Sequence, residues 1–171
     1  MDKIEIGGVR LKRDLVQAEF RFPWAADFTV SEICDTLTRN EVNVSFLMTR
    51  SDKGAMSSVS FCVDRAHSRL VAEIMRLAPA GVAGKLTSPV ALVTFYPRRK
   101  GLGLLRAVLA MWGVKKLPLY GVATSLSSVS CATDDTRIEE ILSAIDEHMK
   151  LPSNHTPFVS PLKVTQSSLM K

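Results

Sequence analysis

Residues Val90 to Met149 read VALVTFYPRRKGLGLLRAVLAMWGVKKLPLYGVATSLSSVSCATDDTRIEEILSAIDEHM. Val90, Leu92, Thr94 and Tyr96 alternate along one side of an extended segment, and a basic, glycine-bearing turn follows. Leu105, Val108, Leu109 and Trp112 then recur at helical spacing. Leu117 to Val122 is a second apolar segment, and a Ser-rich turn leads to a third around Val129 and Cys131. Asp134, Asp135 and Thr136 offer N-caps to a helix whose apolar face is Ile138, Ile141, Leu142, Ile145 and Met149. Strand, helix, strand, strand, helix is a βαββαβ unit short of its last strand, with both helices on one face of an antiparallel sheet.

The same order occurs once before. Val16, Ala18, Phe20 and Phe22 alternate with Gln17, Glu19 and Arg21. Val30, Ile33, Cys34 and Leu37 form a helical stripe, with Thr29 and Glu32 as a capping box and Asn40 as a left-handed stop. Val42 to Met48 alternates again, and Ser51-Asp52-Lys53-Gly54 reads as a hairpin turn into a strand carrying Val59, Phe61 and Val63. Asp64 caps a helix over about Ala66 to Leu77, closed by Ala78-Pro79-Ala80-Gly81, and Val82 to Leu86 reads as a last strand. Matching positions lie roughly 75 residues apart, too far for a solenoid and right for two small units. The expected fold is therefore α+β, with one unit over 15–86 and another over 88–164, joined through Thr87-Ser88-Pro89. Arg13 and Asp14 interrupt a leading strand, Ile4 to Leu11, that has no partner in its own unit. Its natural place is the missing strand of the second unit, an exchange between the two. Pro152, Pro157 and Pro161 leave only an edge strand or docked tail around Phe158 to Val164, and 165–171 read as a frayed end.

The chain has 171 residues, 46% of them apolar, a net charge of +5 and a pI near 9.3. No run approaches the ~20 apolar residues of a membrane span, and Met1 to Glu5 is charged rather than signal-like, so a cytoplasmic protein is expected. Cys34, Cys62 and Cys131 sit inside apolar patterns and read as small buried residues. His67, His148 and His155 share no metal-ligand spacing. No nucleophile has a readable base partner, so neither a catalytic constellation, a metal nor a cofactor is expected.

Three segments resemble the ACT domains of amino-acid metabolism, and in particular the regulatory region of aspartokinase. Ile6 to Asp14, running into Leu15 to Phe22, is similar to the family's leading strand and charged turn. Asn40-Glu41-Val42-Asn43-Val44 is similar to its "G-I-N-V" second strand. Ala123-Thr124-Ser125 with Ser128 to Cys131 and Asp134-Asp135 is similar to its "S-T-S…I-S-V…D-E-x-D" run. The likeness covers about 4–150, and the kinase half, with its Lys-Phe-Gly-Gly motif, is absent from this sequence. It implies a non-catalytic, small-molecule-sensing regulatory module, a small amino acid or other carboxylate ligand bound between units, a homodimer, and a separate catalytic subunit as partner.

The residues for such a site are Arg98, Arg99, Gly101, Gly103, Asn43, Thr124 and Ser125. Arg98 to Gly103 precedes a helix, where free amides, bare glycines and cations suit an anion. Asn43 reads as mid-strand, facing opposite to Val42 and Val44, and Thr124 and Ser125 end a strand; all three can reach a polar ligand. Phe28 occupies the position of the family's loop glycine in the first unit, and Pro118 that of the strand asparagine in the second. One competent site per chain is the expectation. Two further readings stay open: a ligand-free structural or protein-interaction pair, and an RNA-binding module. RNA recognition would need aromatics on an open sheet face, whereas Phe20, Phe22, Phe46 and Phe61 fall on faces shared with Val and Ala.

Overall fold

The computed structural model describes residues 3–23, 30–51, 56–98 and 103–153. Its frame is a pair of long strands. β1 runs from Ile4 to Pro23 and β4 from Ala83 to Pro97, antiparallel to each other along most of their length. Around them lie β2 (Phe46–Arg50), β3 (Met56–Asp64), β5 (Gly121–Thr124), β6 (Val129–Asp134) and the short β7 (Met149–Lys150). The sheet order is β2-β3-β1-β4-β6-β5, with β7 parallel to the start of β1.

Ile6 to Lys12 pairs with Leu92 to Pro97, and does not fold back as a hairpin on Leu15 to Phe22. The interruption read at Arg13 and Asp14 is a bulge, not a strand end. Asp14 takes φ 56 and the register slips between Lys12 and Leu15, which bends β1 while its ladder continues. Thr87-Ser88-Pro89, expected as a linker, likewise lies inside β4. Pro89 has no N–H for the ladder, and the register shifts there too, between Leu15 and Gln17 on β1.

Helices α1 (Val30–Arg39) and α2 (Ser68–Leu77) cover Val16, Ala18, Phe20, Val59 and Phe61. Helices α3 (Gly103–Val114) and α4 (Ile138–His148) cover Ala91, Val93, Phe95, Val129 and Cys131. Leu15 and Val90 are cross-strand partners and share a third cluster with Phe46, Cys62, Leu92 and Ala132. Alternation then puts Val16 and Ala91 on the opposite face, so all four helices share one side. β2 and β5 stand at opposite ends of the sheet order, yet a Cβ on Gly121 would lie 3.0 Å from Phe46 Cζ. The sheet therefore curls until its edges meet, with the third cluster inside the curl.

The two halves end their first helices identically. Val42 N–H donates to Leu37 O at 2.9 Å with Glu41 at φ 55, and Leu117 N–H donates to Trp112 O at 3.0 Å with Lys116 at φ 51. Both are Schellman closures, and both place the following apolar residue in the core. The left-handed residue is thus Glu41 and not Asn40, whose Nδ2 donates instead to Thr36 O at 2.8 Å. The closure turns the chain away, so β2 starts only at Phe46, and Asn43 lies in the connection before it. In the second half Leu117 to Tyr120 is likewise outside the strand. Pro118 O accepts from Trp112 Nε1 at 3.1 Å and Thr133 Oγ1 at 2.7 Å. The buried face of α3 is Leu104, Val108, Met111 and Trp112, with Leu109 exposed, a rotation from the stripe read in the sequence. Thr29, Phe28, the Ser51–Gly54 turn beyond Ser51, and the tail beyond Ser153 lie outside the described residues.

Candidate functional site

The curl leaves a cleft of about 320 Å³ on the helix-free face of the second half. Arg10 and Lys12 enter it from β1, Leu92, Thr94 and Tyr96 from β4, and Ser130 from β6. Its remaining wall is Asn43-Val44-Ser45, contributed by the first half. Strand alternation explains the set: Val9 and Leu11 pack against the helices, so Arg10 and Lys12 face the other way.

Two hydrogen-bonded groups fix the geometry. Lys12 Nζ donates to Ser45 Oγ at 2.8 Å and lies 3.0 Å from Asp64 Oδ1, which ties the first-half wall to the second-half floor. The Thr94 and Ser130 hydroxyls share a hydrogen bond of 3.0 Å. Arg10 is exposed and has neither hydrogen bond nor ion pair among the described residues. Asn43 is also exposed, so its amide offers one acceptor and two donors at the rim. A guanidinium, an amide, paired hydroxyls and an aromatic wall can together hold a small zwitterion, with the carboxylate on Arg10 and the ammonium on Asn43 Oδ1.

Of the described residues expected at a site, Asn43 alone lines this cleft. Arg98 Nη1 pairs with Glu5 Oε2 at 2.5 Å, and Glu5 also meets Lys150 Nζ at 3.1 Å. Gly103 begins α3, and a Cβ there would meet nothing within 4 Å. Thr124 is exposed at the end of β5, and Ser125 caps the Ser-rich turn, accepting from Ser127 N at 3.1 Å. Arg99 and Gly101 lie outside the described residues. Arg10 and Lys12 were missed as ligand groups. The alternation of Val9-Arg10-Leu11-Lys12 places the two cations together, but only the curl supplies the opposing wall.

Cys62 and Cys131 are fully buried, and burial pushes both thiols up to about 12. Cys34 is half-buried. Among the described residues no three His, Cys, Asp or Glu side chains gather as a metal site, and no helix is long and apolar enough to cross a membrane.

The architecture is that of the aspartate kinase regulatory region. The ligand-free regulatory subunit of aspartate kinase from Thermus thermophilus superimposes with a TM-score of 0.72 at 16% identity, over 85% of this chain and 99% of that one. Aspartate kinase from Synechocystis gives 0.73 at 19% identity, over 94% of this chain and 29% of that one. Escherichia coli aspartokinase III, in complex with lysine and aspartate, gives 0.61 at 11% identity, over 85% and 33%. At such identities the likeness defines the fold. No family model and no curated protein matches the sequence.

Proposed function

We propose that this chain is a non-catalytic regulatory module made of two ACT-type units that exchange a strand, and that it senses a small amino acid. The observation that carries the reading is the span of the likeness: nearly all of a free-standing aspartate kinase regulatory subunit, and only about a third of a whole kinase, corresponds to this chain. The units are 15–86 and 88–164, with Ile4 to Leu11 serving the second. The protein works as a homodimer in the cytoplasm, beside a separate catalytic subunit.

The ligand is seated in the cleft around Asn43. Its carboxylate meets Arg10, or the free amides at Gly103 with Arg98 and Arg99, if the α3 start of a second copy closes the cleft. The counterpart of Asn43 in the second unit is Pro118, whose carbonyl is already occupied twice, so each chain carries one such site. A thermal-shift screen of the common amino acids tests this. A true ligand at ~100 times its dissociation constant stabilises by about 2.7 kcal/mol. Asn43→Ala should abolish the shift with the fold intact, since Asn43 is exposed. Gly103→Val abolishes it only if the α3 start holds the carboxylate. A screen with no responding amino acid would favour the ligand-free interaction module.

A further inference from the structure

The internal duplication maps the Asn43 cleft onto a second, larger one. At the offset of roughly 75 residues, Arg10 and Lys12 correspond to Lys85 and Thr87. Leu92, Thr94 and Tyr96 correspond to Gln17, Glu19 and Arg21, and Ser45 to Tyr120. Those second residues do line one cleft, of about 600 Å³, on the helix-free face of the first half. Met48, Arg50, Ser58 and Ser60 also line it. Its floor is built: Gln17 and Ser60 are each 6% exposed, and Gln17 Nε2 donates to Ser60 Oγ at 2.6 Å.

The chemistry of the two clefts differs. Here three cations arrive from three strands, Arg21 from β1, Arg50 from β2 and Lys85 from β4. Among the described lining residues one carboxylate accompanies them, Glu19, and it is committed to Arg21 Nε at 2.7 Å. Arg50 and Lys85 have no ion pair or hydrogen bond among the described residues. Two positive charges without a partner among the described residues, over a polar floor within a concave apolar-backed sheet, focus potential on a doubly charged anion. A guanidinium fork and a point-charge ammonium match one oxyanion bidentately and neutralise a second charge. Nucleic acid fits less well. Tyr120 is the aromatic among the described lining residues, and its phenol is engaged by Asp134.

We infer that the Arg21–Arg50–Lys85 cleft is a second ligand site, distinct from the amino-acid site, that takes a small organic dianion, either a phosphate ester or a dicarboxylate. It does not depend on amino-acid sensing. The test is isothermal titration with inorganic phosphate and with succinate at constant ionic strength, using wild type, the R50Q/K85Q double variant, Arg69→Gln as an exposed control on α2, and Asn43→Ala. Folding of each variant is checked by circular dichroism. Saturable binding of at least one probe is expected, weakened about tenfold or more in the double variant, or ~1.4 kcal/mol, and unchanged in Arg69→Gln and Asn43→Ala. Absence of binding by both probes, equal binding by the double variant, or loss in Asn43→Ala would overturn the assignment. So would a single-stranded oligonucleotide that displaces the probe. A dianion that binds while no amino acid does would leave this site standing and the sensing reading refuted.

Discussion

Asp134 shows how single residues hold this fold. Its carboxylate accepts from Thr136 Oγ1 at 2.7 Å and Thr136 N at 2.9 Å, and these two bonds, with the Tyr120 phenol and Arg137, hold its pKa below the ordinary carboxylate value. A carboxyl depressed in the folded state contributes stability above about pH 4, lost as pH falls through the folded value. Asp134→Asn keeps an acceptor oxygen and removes the charge. It should therefore be less stable than wild type at neutral pH, and the gap should close in acid, as read from urea midpoints across a pH series. Capping by Asp134 was legible in the run Asp134-Asp135-Thr136, because it is a local matter, but it caps a short 3-10 turn over Asp135–Arg137, and α4 itself starts after Arg137 with no side-chain cap. Asp64, read the same way, makes no side-chain cap bond; it faces Lys12 across the sheet instead. The cysteines too were legible from their apolar neighbours, Cys62 and Cys131 fully so.

At the scale of elements, the left-handed closures are the sharpest correction. Sequence favours Asn40 for positive φ, yet the closure needs Val42 to reach the core, and that register puts Glu41 at φ 55. Nothing local distinguishes the two. Glu41 and Lys116 each bear the Cβ penalty of that conformation, ~1–2 kcal/mol, which glycine relieves at some entropic cost. Glu41→Gly and Lys116→Gly should each stabilise by about 0.5 kcal/mol, seen as a higher urea midpoint at unchanged slope. Gly84 behaves oppositely. A Cβ there would fall 2.9 Å from Met75 Cγ, where β4 passes under α2. Gly84→Val is expected to destabilise by roughly 1–3 kcal/mol through overpacking, measured the same way. The extended and helical segments themselves were readable, since their alternation is set by burial on one face. The stripe of α3 was misread because Leu104 and Leu105, like Val108 and Leu109, are adjacent apolar pairs, and periodicity cannot choose between them.

For the molecule as a whole, the two long strands matter most. The succession of strands and helices along the chain was visible in the sequence, as was the pairing of the leading strand away from Leu15 to Phe22. The continuity of β1 through Asp14 and of β4 through Pro89 was not, because a bulge and a strand end share the same residue signals. Both long strands cross both halves, so unfolding should follow one cooperative transition by near- and far-ultraviolet circular dichroism alike. Deleting residues 3–12 should unfold the chain rather than release an intact first half. The cleft was the least legible feature. Asn43 reads as mid-strand but lies in the connection before β2, its partners Arg10 and Lys12 come from another strand, and Phe46 meets Gly121 where the curl joins them. Amino-acid sensing stands or falls on isothermal titration of the chain with whichever amino acid shifts its melting, on wild type, Arg10→Gln and Asn43→Ala. One site per chain is predicted, with binding lost in Asn43→Ala and weakened about tenfold in Arg10→Gln, or ~1.4 kcal/mol. Unchanged affinity in both variants, or no amino acid bound at all, would contradict it.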